Sequence, residues 1–359
     1  MEKVKLGIIG CGGIANGKHM PAMKKIKEVE MTAFCDIIPE RAEKACKDFG
    51  AEGAKVYEKY ADLLKDKSLD AVCVCTPNLS HSEITVAALK AGKHVMCEKP
   101  MAINYEEALK MIAAEKESGK LLTIGYQNRY RPDSIYMKQE CEKGTFGEIY
   151  FAKAKAIRRR TVPTWGVFLD EEKQGGGPLI DIGTHSLDLT LYMMDNYKPK
   201  YAVGSIYHKL NGDTQTGNAW GDWDPAKFTV EDSAFGFVVM ENGATIILES
   251  SWALNTLDEG EAQTQLCGTK GGADMLDGLR INGVNNGRKF KTVPDLAAGS
   301  VDFFEGDSIE APDLEARTFI RAVQGKGELV VKSEQAIVVT RILEGIYASA
   351  RSGKPYYFN

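Results

Sequence analysis

The sequence predicts two domains of different class: a doubly wound α/β domain with a parallel sheet over residues 1–126, then an α+β domain with an open-faced, mostly antiparallel sheet over residues 127–359. Three observations carry this. An apolar run, Val4 to Ile9, leads straight into Gly10-Cys11-Gly12-Gly13-Ile14-Ala15, a glycine turn of the G-x-G-x-x-A form that joins a strand to a helix. Strand-length and helix-length segments then alternate up to Tyr126, as they do around a parallel sheet. Beyond Tyr126 strand follows strand with few helices between, which is the grammar of an antiparallel sheet.

In the turn, Gly10 permits the tight bend, Gly12 lets the backbone approach a pyrophosphate, and Ala15 lets the helix pack closely on the strand. Gly13 and Ile14 complete it, and the helix N-terminus faces the phosphates. Glu30 to Cys35 is the second strand, and Asp36 ends it near the ~20-residue offset at which a carboxylate holds an adenosine ribose. A 2′-phosphate would meet a like charge there. Ile37 and Ile38 follow, and the first basic residue is Arg41, so NAD is expected rather than NADP.

Pro39 to Phe49 is a helix begun by its proline, and Tyr60 to Lys67 another. Ala71 to Cys75 is a fully apolar interior strand. Ser80 to Ala91 is a helix, Lys93 to Cys97 a strand, Asn104 to Ser118 a helix with Asn104 as cap and Glu107 at the capping-box position, and Leu121 to Tyr126 a further strand. In the second domain Arg131 to Lys143 is a linking helix, Glu148 to Arg160 a long strand and Leu179 to Met194 an apolar-striped helix. Tyr201 to Leu210, Glu231 to Met240, Ala244 to Ala253 and Glu261 to Cys267 are strands, with Asn242-Gly243 as a hairpin signal. Helices near Pro312 to Val323 and Ser333 to Ser352 close the chain.

The balanced charge, -5 over 359 residues, points to neither nucleic acid nor a membrane surface. There is no apolar run of about 18 residues, and no signal peptide is read. The eight cysteines form no C-x-x-C pair and no Cys/His set at zinc spacing, so no metal is expected. A reducing cytoplasm is the simplest setting.

Ligands of an open parallel sheet bind beyond the carboxyl ends of its strands. Those ends carry Thr76-Pro77-Asn78 with His81, then Glu98-Lys99-Pro100, then Tyr126-Gln127. In the second domain Gly175-Gly176-Gly177 leads to Asp181 and His185, four apart and therefore on one face of a helix. Together with the glycine turn, these motifs resemble the glucose–fructose oxidoreductase / inositol dehydrogenase / rhizopine-catabolism (Gfo/Idh/MocA) family over essentially the whole chain. The resemblance implies a Rossmann domain, a homodimer or homotetramer built through the open-faced sheet, and redox chemistry on a sugar or cyclitol hydroxyl. It also implies that Thr76, Asn78 and Glu98 contact the nicotinamide ribose and its surroundings, where His81, Lys99 and Gln127 are placed too.

Oxidising a secondary alcohol removes a proton from oxygen and a hydride from carbon. Histidine ordinarily titrates near neutral pH, which gives His185 the role of base. Lys99 would hydrogen-bond the same oxygen, and Asp181 a neighbouring hydroxyl. Tyr126, Arg158 and Trp165 complete the expected substrate contacts. The stretch Gly212 to Pro225, with Trp220 and Trp223, reads as a mobile surface loop or as a lid whose indoles stack on a sugar. Three functions stay open: a dehydrogenase acting on a sugar, glycoside or cyclitol, including the 3-hydroxyl of a glucoside; a redox-assisted glycosidase that retains NAD through oxidation, elimination and re-reduction; and a non-catalytic NAD-binding sensor.

Overall fold

The computed structural model describes residues 3–296 and 310–358. They group into two compact units, one from residues 3–130 with 310–337, the other from residues 131–296 with 338–358.

In the first unit β1 (Val4–Ile9), β2 (Val29–Cys35), β3 (Lys55–Tyr57), β4 (Ala71–Val74), β5 (His94–Cys97) and β6 (Leu122–Ile124) form a six-stranded sheet. Its order is β3-β2-β1-β4-β5-β6 and every pair is parallel, the doubly wound order with its switch point between β1 and β4. β4 and most of β5 are buried because helices cover both faces. The helices Pro39–Phe49 and Tyr105–Ser118 fall where they are expected, the second with the Asn104 side chain accepting from Glu107 N–H at 2.8 Å. After the glycine turn the chain forms a π turn, Ala15–His19, before the short helix Met20–Lys24. The strand β3 has no counterpart among the expected elements, since it is three residues long and mostly exposed. The helix Ala311–Val323 buries Ala316, Phe319 and Ile320 in the same core as Leu6, Ile8, Met20 and Met23. It therefore belongs to this unit, whereas a division at 126/127 places it with the second domain.

The second unit holds β7 (Ile149–Ile157), β8 (Pro199–Tyr207), β9 (Ser233–Met240), β10 (Thr245–Ser251), β11 (Gly260–Gly268), β12 (Gly271–Asp274), β13 (Arg280–Asn285), β14 (Arg288–Thr292) and β15 (Tyr356–Tyr357). The sheet order is β14-β13-β12-β11-β7-β10-β9-β8-β15. It is antiparallel except for β7 beside β10, so the expected character is right. Gly243, at φ 88°, makes the turn between β9 and β10. The helix Thr184–Met194 packs on β7 and β11, with Pro132–Glu142 against it, and Ile346 of the last helix sits over Gly204 and Gly236. No helix among the described residues is long and apolar enough to cross a membrane.

Candidate functional site

The glycine turn is shaped by its neighbours. Gly10 has φ 91°, and a Cβ there would stand 2.7 Å from the Cys75 carbonyl, so only glycine fits. At Gly12 and Gly13 a Cβ would meet nothing within 4 Å; the turn faces open space, and Gly13 and Ile14 are exposed. Asp36 is tied to this turn: Oδ2 accepts from Cys11 N–H at 2.8 Å and Oδ1 from Ile38 N–H at 2.9 Å. Arg41 lies inside the helix Pro39–Phe49. Thr76 Oγ1, at the end of β4, is buried with no hydrogen-bond partner among the described residues, a hydroxyl positioned for a ligand. These features fit a dinucleotide: an open backbone turn for phosphates, a carboxylate for a ribose and an unused buried hydroxyl. The thiols beside them are inert, since burial and then the Asp36 charge push both Cys11 and Cys35 up to about 12.

Two expected cofactor contacts carry protein partners of their own, and for one of them, His81, this is a correction. Both Glu98 oxygens are taken: Oε1 accepts from Lys18 Nζ at 2.8 Å and His19 Nε2 at 2.7 Å, and Oε2 from Lys99 N–H at 3.0 Å. Burial opposes this charge, but Lys18 and His19 outweigh it and hold the Glu98 carboxyl well below the usual range. Glu98 therefore fixes the Lys99 backbone. His81 is fully buried, with the Pro100 carbonyl 2.8 Å from Nδ1 and the Thr76 carbonyl 2.8 Å from Nε2, which leaves its ring nothing for a cofactor. The Lys99–Pro100 peptide is cis. Asn78 and Gln127 each open a 3₁₀ turn after a strand, half-buried, and Tyr126 is buried beside Gln127.

In the second unit Asp181 lies in a π turn, Leu179–Gly183, that runs into the helix Thr184–Met194 carrying His185. Such turns recur at functional sites. Asp181 Oδ2 accepts from the Trp252 indole N–H at 3.0 Å. The turn begins on Glu231, whose carboxylate accepts from Gly177 N–H at 2.8 Å, Leu179 N–H at 3.1 Å and the Tyr347 hydroxyl at 2.8 Å, an anion at a helix N-terminus. Burial pushes Glu231 up against those three bonds. The triple glycine serves this arrangement, since a Cβ on Gly177 would overlap the Glu231 carbonyl and one on Gly176 the Tyr347 hydroxyl. Sequence reading missed Trp252, Glu231 and Tyr347; the only signal was a carboxylate opening an apolar strand.

Arg158, at the end of β7, pairs with Glu261 through Nε and Nη2 at 2.7 and 2.8 Å. Trp165 and Trp220 are exposed neighbours. Trp223 is a correction to the lid reading: it is 4 % exposed, packs in a core with Ile182, Phe228 and Trp252, and donates to the Asn211 carbonyl at 3.1 Å.

Residues 4–126 match the family model described as "Oxidoreductase family, NAD-binding Rossmann fold", and residues 135–274 match the "GFO/IDH/MocA C-terminal domain". The chain is similar to a D-glucoside 3-dehydrogenase from Escherichia coli, 35% identical over 350 residues, 98% of this chain and 96% of that one. It is also similar to an inositol 2-dehydrogenase/D-chiro-inositol 3-dehydrogenase from Lactiplantibacillus plantarum, 32% identical over 193 residues, 54% and 53% of the two chains. Its fold is that of a levoglucosan dehydrogenase solved in complex with NADH and levoglucosan, with a TM-score of 0.83 at 21% identity over 99% of each chain.

Proposed function

Because the chain belongs to the Gfo/Idh/MocA family of NAD-dependent oxidoreductases, we propose that it oxidises a secondary ring hydroxyl of a sugar, glycoside or cyclitol, the 3-hydroxyl of a glucoside foremost. The observation that carries this reading is Asp181 on a turn braced by Glu231 and Trp252 that runs straight into the helix carrying His185, an acceptor and a base on one continuous stretch. The full-length similarity to a glucoside 3-dehydrogenase supports the substrate class.

NAD, when bound, supplies the hydride acceptor. Gly10, Gly12, Gly13 and Ile14 would hold its pyrophosphate, Asp36 its adenosine ribose, and Thr76, Asn78 and Gln127 its nicotinamide end. His185 would take the proton of the reacting hydroxyl. Lys99, its backbone held by Glu98 Oε2, would donate to a substrate oxygen and stabilise developing alkoxide charge. Asp181, oriented by Trp252, accepts from an adjacent hydroxyl. The eight cysteines form no disulfide among the described residues and suit a reducing cytoplasm. The open face of the second sheet suits a homodimer or homotetramer.

The test is NADH absorbance while protein and NAD are offered monosaccharides, inositols and aryl glycosides, with released aglycone assayed in parallel. A rise with one class is expected; aglycone without NADH would replace this reading with the redox-assisted glycosidase. Lys99→Ala should cut turnover by about 10²-fold or more while NAD affinity, measured by calorimetry, stays near wild type. Surviving turnover would remove the alkoxide role.

A further inference from the structure

Trp165 is 52 % exposed and Trp220 42 %, their ring centroids 4.9 Å apart at 65°. Two half-exposed indoles in contact make a small aromatic patch with the shape and chemistry of a ligand platform. They also sit in a hydrogen-bonded frame. Asn218 accepts from Val162 N–H at 2.8 Å and donates to the carbonyls of Val162 and Gly221 at 3.0 and 2.7 Å. Ala219 N–H donates to the Arg160 carbonyl at 2.9 Å, and Thr164 Oγ1 to the Trp220 carbonyl at 2.9 Å. The Arg158 guanidinium, fixed by Glu261, lies over the Trp220 ring at 5.1 Å. This segment is therefore tied to the strand end and loop beneath it through Asn218, Ala219 and Thr164.

The surface is tied to the reacting end of the site. Arg158 N–H donates to Ser251 and Thr161 N–H to Trp252, at 2.8 and 3.0 Å, and it is the Trp252 indole that holds Asp181. Trp165 packs edge-on against Phe168 at 5.9 Å, and Phe168 packs on the core shared by Val162, Ile182 and Trp252. One apolar cluster thus supports Asp181 on one side and the two indoles on another.

We propose that Trp165 and Trp220 are a stacking subsite for the ring beyond the oxidised one: the second sugar of a disaccharide or the aglycone of a glycoside. This rests on the sugar-oxidising reading above. An indole face matches the C–H face of a pyranose or an aryl ring, and the Arg158/Glu261 and Arg160/Asp213 pairs at its rim offer donors and acceptors to hydroxyls. A second protein subunit is the poorer occupant, because two half-exposed indoles offer on the order of 200 Å² against the about 800 Å² per partner of a stable interface.

The experiment compares kcat/KM for phenyl glucoside and for a glucosyl disaccharide with that for methyl glucoside, in wild type and in Trp165→Ala, Trp220→Ala and the two phenylalanine variants, all with NAD. The ratio of two-ring to one-ring substrate should fall about 3- to 10-fold in each alanine variant and recover partly with phenylalanine. Disaccharide should also quench the exposed tryptophans of the NAD-loaded protein, and the quench should vanish when both are phenylalanine, since Trp223 and Trp252 are buried. An unchanged ratio, or an alanine variant whose mass in solution drops, would overturn the subsite. If no sugar is oxidised by the wild type, the functional reading fails, and the quench still decides the subsite by itself.

Discussion

His81 shows how one side chain can join two loops of the candidate site. A neutral imidazole carries one N–H and so donates to only one of its two carbonyl neighbours, Thr76 or Pro100; both are satisfied only by the imidazolium. Burial pushes its pKa down and prevails over the two carbonyls and the Glu98 charge, which push it up. A histidine whose folded pKa lies below its unfolded value of about 6.5 takes up its proton on unfolding first, so stability is fully present above that value and falls as pH drops through it. Urea unfolding of His81→Gln should therefore show a flatter dependence on pH just below 6.5 than wild type, at a stability lower by about 1–3 kcal/mol. An unchanged slope would mean that the ring does not titrate across unfolding. At this scale legibility divided by distance along the chain. The Asn104 cap was readable because its partner, the Glu107 N–H, lies three residues on. His81 was misread, and the partners of Glu98 were not foreseen, because the groups that engage them, the carbonyls of Thr76 and Pro100 and the side chains of Lys18 and His19, are set by how strands and turns align in space.

Among elements, the π turn Ala15–His19 and the strand β5 are joined by charge. Lys18 bridges Glu98 at 2.8 Å and Glu315 of the helix Ala311–Val323 at 2.9 Å, all three buried. The two carboxylates push the Lys18 pKa up against the burial that opposes it. Removing one partner of such a network strands the others in a low-dielectric interior. Glu98→Gln should cost about 3 kcal/mol, less than a complete loss because Lys18 keeps Glu315, and it should free the Lys99 backbone N–H from a charged acceptor. Chemical denaturation measures the first effect; a fall in kcat larger than any change in NAD affinity would report the second. A loss below about 0.5 kcal/mol would mean that water replaces the carboxylate. The same network explains why the late helix was misplaced by sequence: its apolar stripe and Glu315 are plain, but a stripe does not say which core it enters. The strands β12, β13 and β14 were unreadable for another reason. Their segments, rich in glycine and in lysine or arginine, pair through backbone with largely exposed side chains in β13 and β14, leaving no alternation to detect.

For the molecule as a whole, the second sheet has one face covered and one face with apolar side chains turned outward. Ala202, Gly204 and Gly236 lie toward the last helix, so by strand alternation Val203, Tyr207 and Phe237 point the other way. Val203 is 41 % exposed and Phe237 42 %, and they are directly paired across β8 and β9. Phe237 also faces Ile247 of β10, and Tyr201 meets Tyr357 at 5.5 Å between rings, so the apolar side chains run across four strands. A continuous apolar strip of this kind is a protein interface more often than bare surface, and a sheet face is flat enough to be matched by a second copy related by a twofold axis. Light scattering behind size exclusion should therefore find a multiple of the 39.4 kDa chain. Phe237→Asp should shift the mass toward a single chain, because a carboxylate in the middle of the strip would be buried unpaired on association. Since the side chain points away from the covered core, far-ultraviolet circular dichroism should be unaltered. A wild type that elutes as a single chain would instead assign the strip to some other partner and detach it from assembly altogether.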